Sequence, residues 1–182
     1  RGGVPVVFPW FGPCPPPGKG PQHGFARTLP WSLVSVVDGA EGLTFVMELG
    51  PSEATRAAWP HEFRVRHEVT VGRRLQMALA VTNTGSTPFR AEAALHTYFS
   101  VSDVRQARIE GLTGCEYIDK VDGFKRKRED GASLSLDGET DRVYLGTPGT
   151  VTIVDDGFGR RVVVEAAGSA STVVWNPWET KG

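Results

Sequence analysis

Residues 61–71, HEFRVRHEVTV, alternate strictly, with Phe63, Val65, His67, Val69 and Val71 against Glu62, Arg64, Arg66, Glu68 and Thr70. Successive side chains of an extended chain point to opposite faces, so this pattern specifies a strand that buries one side. After a turn at Gly72-Arg73, residues 74–83 repeat it with Leu75, Met77, Leu79 and Val81. Upstream, residues 32–38 and 43–49 flank a turn at 38–42 and read as a hairpin. Strands joined by short turns pair with their sequence neighbours, so residues 61–71 and 74–83 open an antiparallel meander. Only residues 52–58 carry a helical signature, with Ser52 as cap and Pro60 as stop.

The stretch 92–103, EAALHTYFSVSD, follows the turn at 83–86 and Pro88, and is expected to extend the meander as a further long strand. Period two puts Phe89, Ala91, Ala93, Leu95, Thr97, Phe99 and Val101 on one face and Glu92, Ala94, His96, Tyr98 and Ser100 on the other. A face carrying Glu, His and Tyr is too aromatic for a solvated surface and too polar for a core, and suits the lining of a cleft.

The first thirty residues are rich in proline and glycine, which break ladders and permit unusual backbone angles. They predict an ordered loop with at most a short strand at 4–8. Such a loop must pack to offset its ordering entropy, and Trp10, Phe11, Phe25 and Trp31 are its expected anchors. Beyond residue 103, shorter strands are expected at 107–112, 116–119, 133–136, 142–145, 151–155, 161–165 and 171–175, separated by turn-forming residues. The KRKR run at 125–128 sits beside Asp122, Glu129 and Asp130 and reads as a solvated hairpin tip. The fold class is therefore all-β, with two packed antiparallel sheets.

With 182 residues, 40% hydrophobic and 23% charged, the chain has the size and make-up of one globular domain. Its net charge of −1 argues against nucleic acid or an anionic membrane as partner. Two distant cysteines, Cys14 and Cys115, offer no zinc motif and suggest free thiols in a reducing, cytoplasmic setting. No apolar run is long enough to span a bilayer, and no secretory leader is visible. Nucleotide-binding and nucleophile-elbow motifs are also missing.

RGGVPVVFPWFGP at the start, QHGFAR at 22–27, LHTYFSVSDV followed by GLTGCEYIDK, and VVWNPWETKG at the end line up in order. Together they resemble the hexose-6-phosphate branch of the aldose 1-epimerase (galactose mutarotase-like) superfamily. The resemblance implies a large antiparallel β-sandwich with its site on a concave sheet face. It also implies that residues 1–182 form a single domain that lacks the family's N-terminal strands and C-terminal segment, the latter carrying a glutamate base.

Residue by residue, the resemblance makes His96 the general acid. Arg1, Gln22 and Arg27 would hold the sugar phosphate, and Asp141 the sugar hydroxyls. His23 lies close to the site in the family pattern, Lys181 is a possible extra cation, and Glu179 is read as a surface residue. Interconverting α and β anomers means taking a proton from the O1 hydroxyl and giving one to the ring oxygen, so an acid and a base on opposite sides suffice. No metal or cofactor is required by this chemistry. Histidine titrates near neutrality, and the arginine fork suits a phosphate. The expected protein is a monomeric isomerase of a hexose 6-phosphate. The alternative is a non-catalytic sugar or sugar-phosphate binding module on the same fold.

Overall fold

The computed structural model describes residues 2–179, and its regular secondary structure is almost entirely antiparallel strand. Arg1 and Lys181 therefore lie outside the described residues. The chain divides into two compact units, Arg1–Tyr98 and Phe99–Gly182.

In the first unit, β2 (Ser32–Gly39), β3 (Gly42–Leu49), β4 (Phe63–Val71) and β5 (Leu75–Asn83) form one antiparallel meander in that order: the expected hairpin β2–β3 and the expected neighbours β4 and β5, joined by a β3–β4 pairing that the sequence did not indicate. The period-two reading of β4 holds where it matters, since Phe63, Val65 and His67 are buried. Between β3 and β4 comes α1 (Glu53–Ala58). Ser52 caps it as expected, and a reciprocal capping box with Thr55 satisfies two end amides. The N-terminal loop packs on the meander through a core of Val6, Phe8, Trp10, Phe25 and Ala26 against Leu49, Phe63 and Val65. Phe8 sits among Phe25, Trp59 and Phe63 with ring centroids 6.1, 5.5 and 5.3 Å away. Full burial of one such side chain contributes about 1.5–3 kcal/mol, which is how a proline-rich loop stays ordered. Two indoles are tied to backbone oxygens as well, Trp10 to Pro21 and Trp31 to Ala26.

The segment holding His96 does not extend the meander. Its partner is the N-terminal loop, and the regular pairing is confined to β1 (Val6–Val7) with β6 (Ala94–Leu95). On either side the same antiparallel course continues as single hydrogen bonds: the amides of Glu92, His96 and Tyr98 donate to the carbonyls of Pro9, Pro5 and Gly3. Pro5 and Pro9 have no N–H to return, so alternate rungs are missing and the long strand expected at 92–103 shrinks to two residues.

The second unit contains two four-stranded antiparallel sheets. One runs β10 (Leu134–Ser135), β7 (Arg108–Glu110), β12 (Thr150–Asp155), β13 (Arg160–Glu165), and the other β14 (Ser171–Asn176), β11 (Thr140–Leu145), β8 (Glu116–Asp119), β9 (Lys125–Arg128). Ile109, Leu134 and Val151 from the first meet Tyr117, Tyr144 and Val174 from the second in one core, giving this unit two packed layers. The KRKR run is β9, an arm of the β8–β9 hairpin and not its tip. Alternation along the arm pairs its cations with nearby acids: Lys125 with Asp122, Arg126 with Glu116, Lys127 with Asp119 and Asp122, and Arg128 with Asp130.

Candidate functional site

Trp10 turns inward to the core, so the next side chain on the extended loop, Phe11, turns the other way. The ring of Phe11 meets His23 at 4.9 Å and His96 at 5.7 Å between centroids, and the two imidazoles are 5.0 Å apart, all edge-to-face. This triangle of rings is assembled from the PWFG, QHGFAR and LHTYF pieces of the sequence. His96 reaches it because it alternates with Leu95, which packs on the loop core. Sequence reading treated Phe11 as a core anchor; the adjacent Trp-Phe pair was the signal that only one of the two could face inward.

His23 is held by two hydrogen bonds to one residue: its amide donates to the Gly12 carbonyl at 2.6 Å, and the Gly12 amide donates to Nδ1 at 3.0 Å. Because Nδ1 accepts, the neutral ring carries its proton on Nε2. The backbone of His23 lies in the left-handed region, φ 65°, a conformation that costs a non-glycine residue about 1–2 kcal/mol and is sustained by these bonds. Gly24 follows with φ 73° and lies so close to Phe8 that a Cβ would fall 2.0 Å from the Phe8 carbonyl oxygen.

Arg27 projects from a 3-10 turn, Ala26–Thr28, and its guanidinium donates to the Gln22 carbonyl at 2.7 Å, so the two ends of QHGFAR are tied together. Arg27 also lines a cavity of about 400 Å³ with Val6, Trp31 and His67; His96 is not among its lining residues. His67 is a buried core histidine with Nδ1 3.1 Å from the Ala78 carbonyl.

Asp141 belongs to the second unit. It lies on β11 opposite Trp175 of β14, and both carboxylate oxygens face the Lys120 ammonium, at 3.1 and 2.9 Å. The Lys120 amide also donates to the Asp141 carbonyl at 2.9 Å, so the YIDK and ETDRVY pieces meet there. Lys120 was not singled out from sequence. Its position directly after the Asp119 end of β8 was the available clue. Glu179 is exposed, as expected for a surface residue. Among the described residues no cluster of His, Cys, Asp and Glu suits a metal ion, and no helix is long and apolar enough to cross a membrane.

The aldose 1-epimerase profile matches residues 1–182. The chain belongs to the aldose 1-epimerase family. Among its relatives is an Escherichia coli (strain K12) protein, provisionally named a glucose-6-phosphate 1-epimerase, with 38% identity over 177 residues, 97% of this chain and 58% of the relative. One from Cenchrus ciliaris with the same provisional name is 36% identical over 190 residues, covering 100% of this chain and 57% of the relative. A crystal structure of a provisionally named mutarotase from Salmonella typhimurium superposes with TM-score 0.89 at 37% identity, over 97% of this chain and 58% of that one. At 18% identity, a galactose mutarotase related enzyme from Lactobacillus acidophilus shares the fold with TM-score 0.78, over 97% of this chain and 67% of that one. This aldose 1-epimerase family chain thus spans 58% of the length of its E. coli relative, and the all-β class read from its sequence is that of the family's solved structures.

Proposed function

We propose that the protein interconverts the α and β anomers of a hexose 6-phosphate, with glucose 6-phosphate as the first candidate. The observation that carries the proposal is the close approach of His23, on the N-terminal loop, to His96, on the segment paired with that loop, with Gln22 beside His23 in sequence and tied to Arg27, in a chain of this family. The names of the E. coli and Cenchrus ciliaris relatives point to the same substrate. In this reading His96 is the acid that protonates the ring oxygen. Gln22 and Arg27, with Arg1, hold the phosphate, and His23 contacts the sugar. The reading also takes residues 1–182 as one domain, acting as a monomer in the cytoplasm on a small-molecule sugar phosphate.

Magnetisation exchange between the anomers of glucose 6-phosphate tests the assignment. A positioned acid is worth on the order of 10²- to 10⁴-fold, so His96→Ala should lose that factor. Arg27→Ala should weaken glucose 6-phosphate binding roughly 30- to 1000-fold, as expected for truncating one member of a charge pair, and leave glucose nearly unchanged. Unaltered exchange in His96→Ala would remove the acid from His96, and equal losses for both sugars would remove the phosphate from Arg27. Sugar phosphate binding without any acceleration of exchange would favour the binding-module alternative.

A further inference from the structure

Glu92 shares the His96 face and is the carboxylate nearest in sequence to the histidine pair, which would suit a base. Its contacts describe another task. The Glu92 carboxylate accepts the Phe11 amide at 2.8 Å, and the Glu92 amide donates to the Pro9 carbonyl at 2.9 Å, so residues 9–11 and residue 92 are joined at two points. Trp10, between these points, is fixed in the core. Gly12, on the far side of Phe11, is fixed by His23. The Glu92 bond is therefore what sets the direction of the Phe11 backbone between two anchored neighbours. The Phe11 ring, in turn, abuts both imidazoles.

We infer that Glu92 is a positioning residue: by accepting the Phe11 amide it seats the Phe11 ring against His23 and His96 and so orients the His96 imidazole. It does not take a proton from the sugar. The inference rests on the function proposed above for its kinetic consequence, while the orientation itself is independent of turnover.

The two roles respond differently to two substitutions. A glutamine oxygen still accepts an amide hydrogen but is no base, whereas alanine offers neither. In anomer exchange of glucose 6-phosphate, Glu92→Gln should stay within about threefold of the parent. Glu92→Ala should lower kcat on the order of tenfold with KM changed less than about twofold, the equivalent of about 1.4 kcal/mol for one charge-assisted bond. A base would instead lose on the order of 10²-fold or more in Glu92→Gln, and that result overturns the inference. The second readout needs no substrate: amide and imidazole ¹H–¹⁵N signals of the sugar-free protein. Glu92→Ala should shift the Phe11 amide and the His23 and His96 rings, and Glu92→Gln should restore them. Imidazole signals unmoved in Glu92→Ala overturn the inference even if the parent is fully active. If the parent proves inactive on glucose 6-phosphate, the proposed function fails and these signals alone decide the positioning role.

Discussion

Gly24→Ala places a methyl group where the chain has none to spare. The new Cβ would lie 2.0 Å from the Phe8 carbonyl oxygen, 2.3 Å from its carbon and 2.7 Å from the Pro9 nitrogen, all backbone atoms that no rotamer can move. The residue also sits at φ 73°, which costs an alanine about 1–2 kcal/mol. Overpacking of this kind costs about 1–3 kcal/mol. The sum is about 2–5 kcal/mol, because relief requires shifting the Phe8 backbone and with it a fully buried ring that contacts Phe25, Trp59 and Phe63. Urea unfolding followed by tryptophan fluorescence measures the change; with a slope of about 1–3 kcal/mol per M, the midpoint should fall by about 0.7 M or more. Gly50→Ala is the control, since nothing lies within 4 Å of its Cβ position, and it should stay within about 0.5 kcal/mol of the parent. A Gly24→Ala variant equally close to the parent would refute the reasoning. The same displacement should disturb His23, the adjacent residue, and with it the ring triangle.

Tyr144 is fully buried on β11 and donates its hydroxyl to Glu129 at 2.8 Å, while burial holds its phenol well above the ordinary range. Tyr144→Phe should cost about 1.5–3 kcal/mol, the worth of a hydrogen bond to a charged group, and an unchanged urea midpoint would contradict that. In the β8–β9 hairpin, hydrogen bonds from Lys127 and Lys125 bring Asp122 down to about 2. Burial pushes Asp119 up, but bonds from Lys127 and the Asp122 amide outweigh it and leave Asp119 below its usual value. Both carboxyls bind protons less readily folded than unfolded, so their stabilisation is complete above about pH 4 and disappears as pH falls towards about 2. Melting temperatures measured across that window should drop in the parent and drop less in Lys127→Met; parallel curves would show that the lysine bonds are not the cause.

The β2–β3 and β4–β5 pairs were legible because their turns are short and their strands alternate, so neighbours in sequence are neighbours in space; the β3–β4 pairing, across the connection that holds α1, was not. The later strands were legible from the turn-forming residues that bound them, within a residue or two at most ends, but their partners were not, since most of them pair with strands that are not their sequence neighbours. The His96 segment was read with the right alternation and the wrong partner. Period two reports which way side chains point and says nothing about who supplies the opposing backbone. Here that is a proline-bearing stretch nearly ninety residues earlier, invisible to any local pattern. The same limit applied to the site. His96 could be placed on a polar face from its own strand, but its closeness to His23 and Phe11 depends on how a glycine-rich loop folds back. Such a path is set by features like the left-handed backbone at His23, which composition does not announce. The KRKR run misled because charge suggested a tip, when alternate cations were answering acids on and beside the facing strand.

The pairing of Val6 with Leu95 also fixes an order of assembly. During synthesis the loop carrying Val6 emerges before the meander, yet it cannot complete its ladder until the histidine segment has followed, after the whole meander has been made. Joining segments so far apart carries a closure cost that local hairpins avoid, and such contacts form late and slow a chain's progress. The meander therefore serves as the template on which the earliest and latest parts of this unit meet. The ring triangle comes into being only when that loop closes.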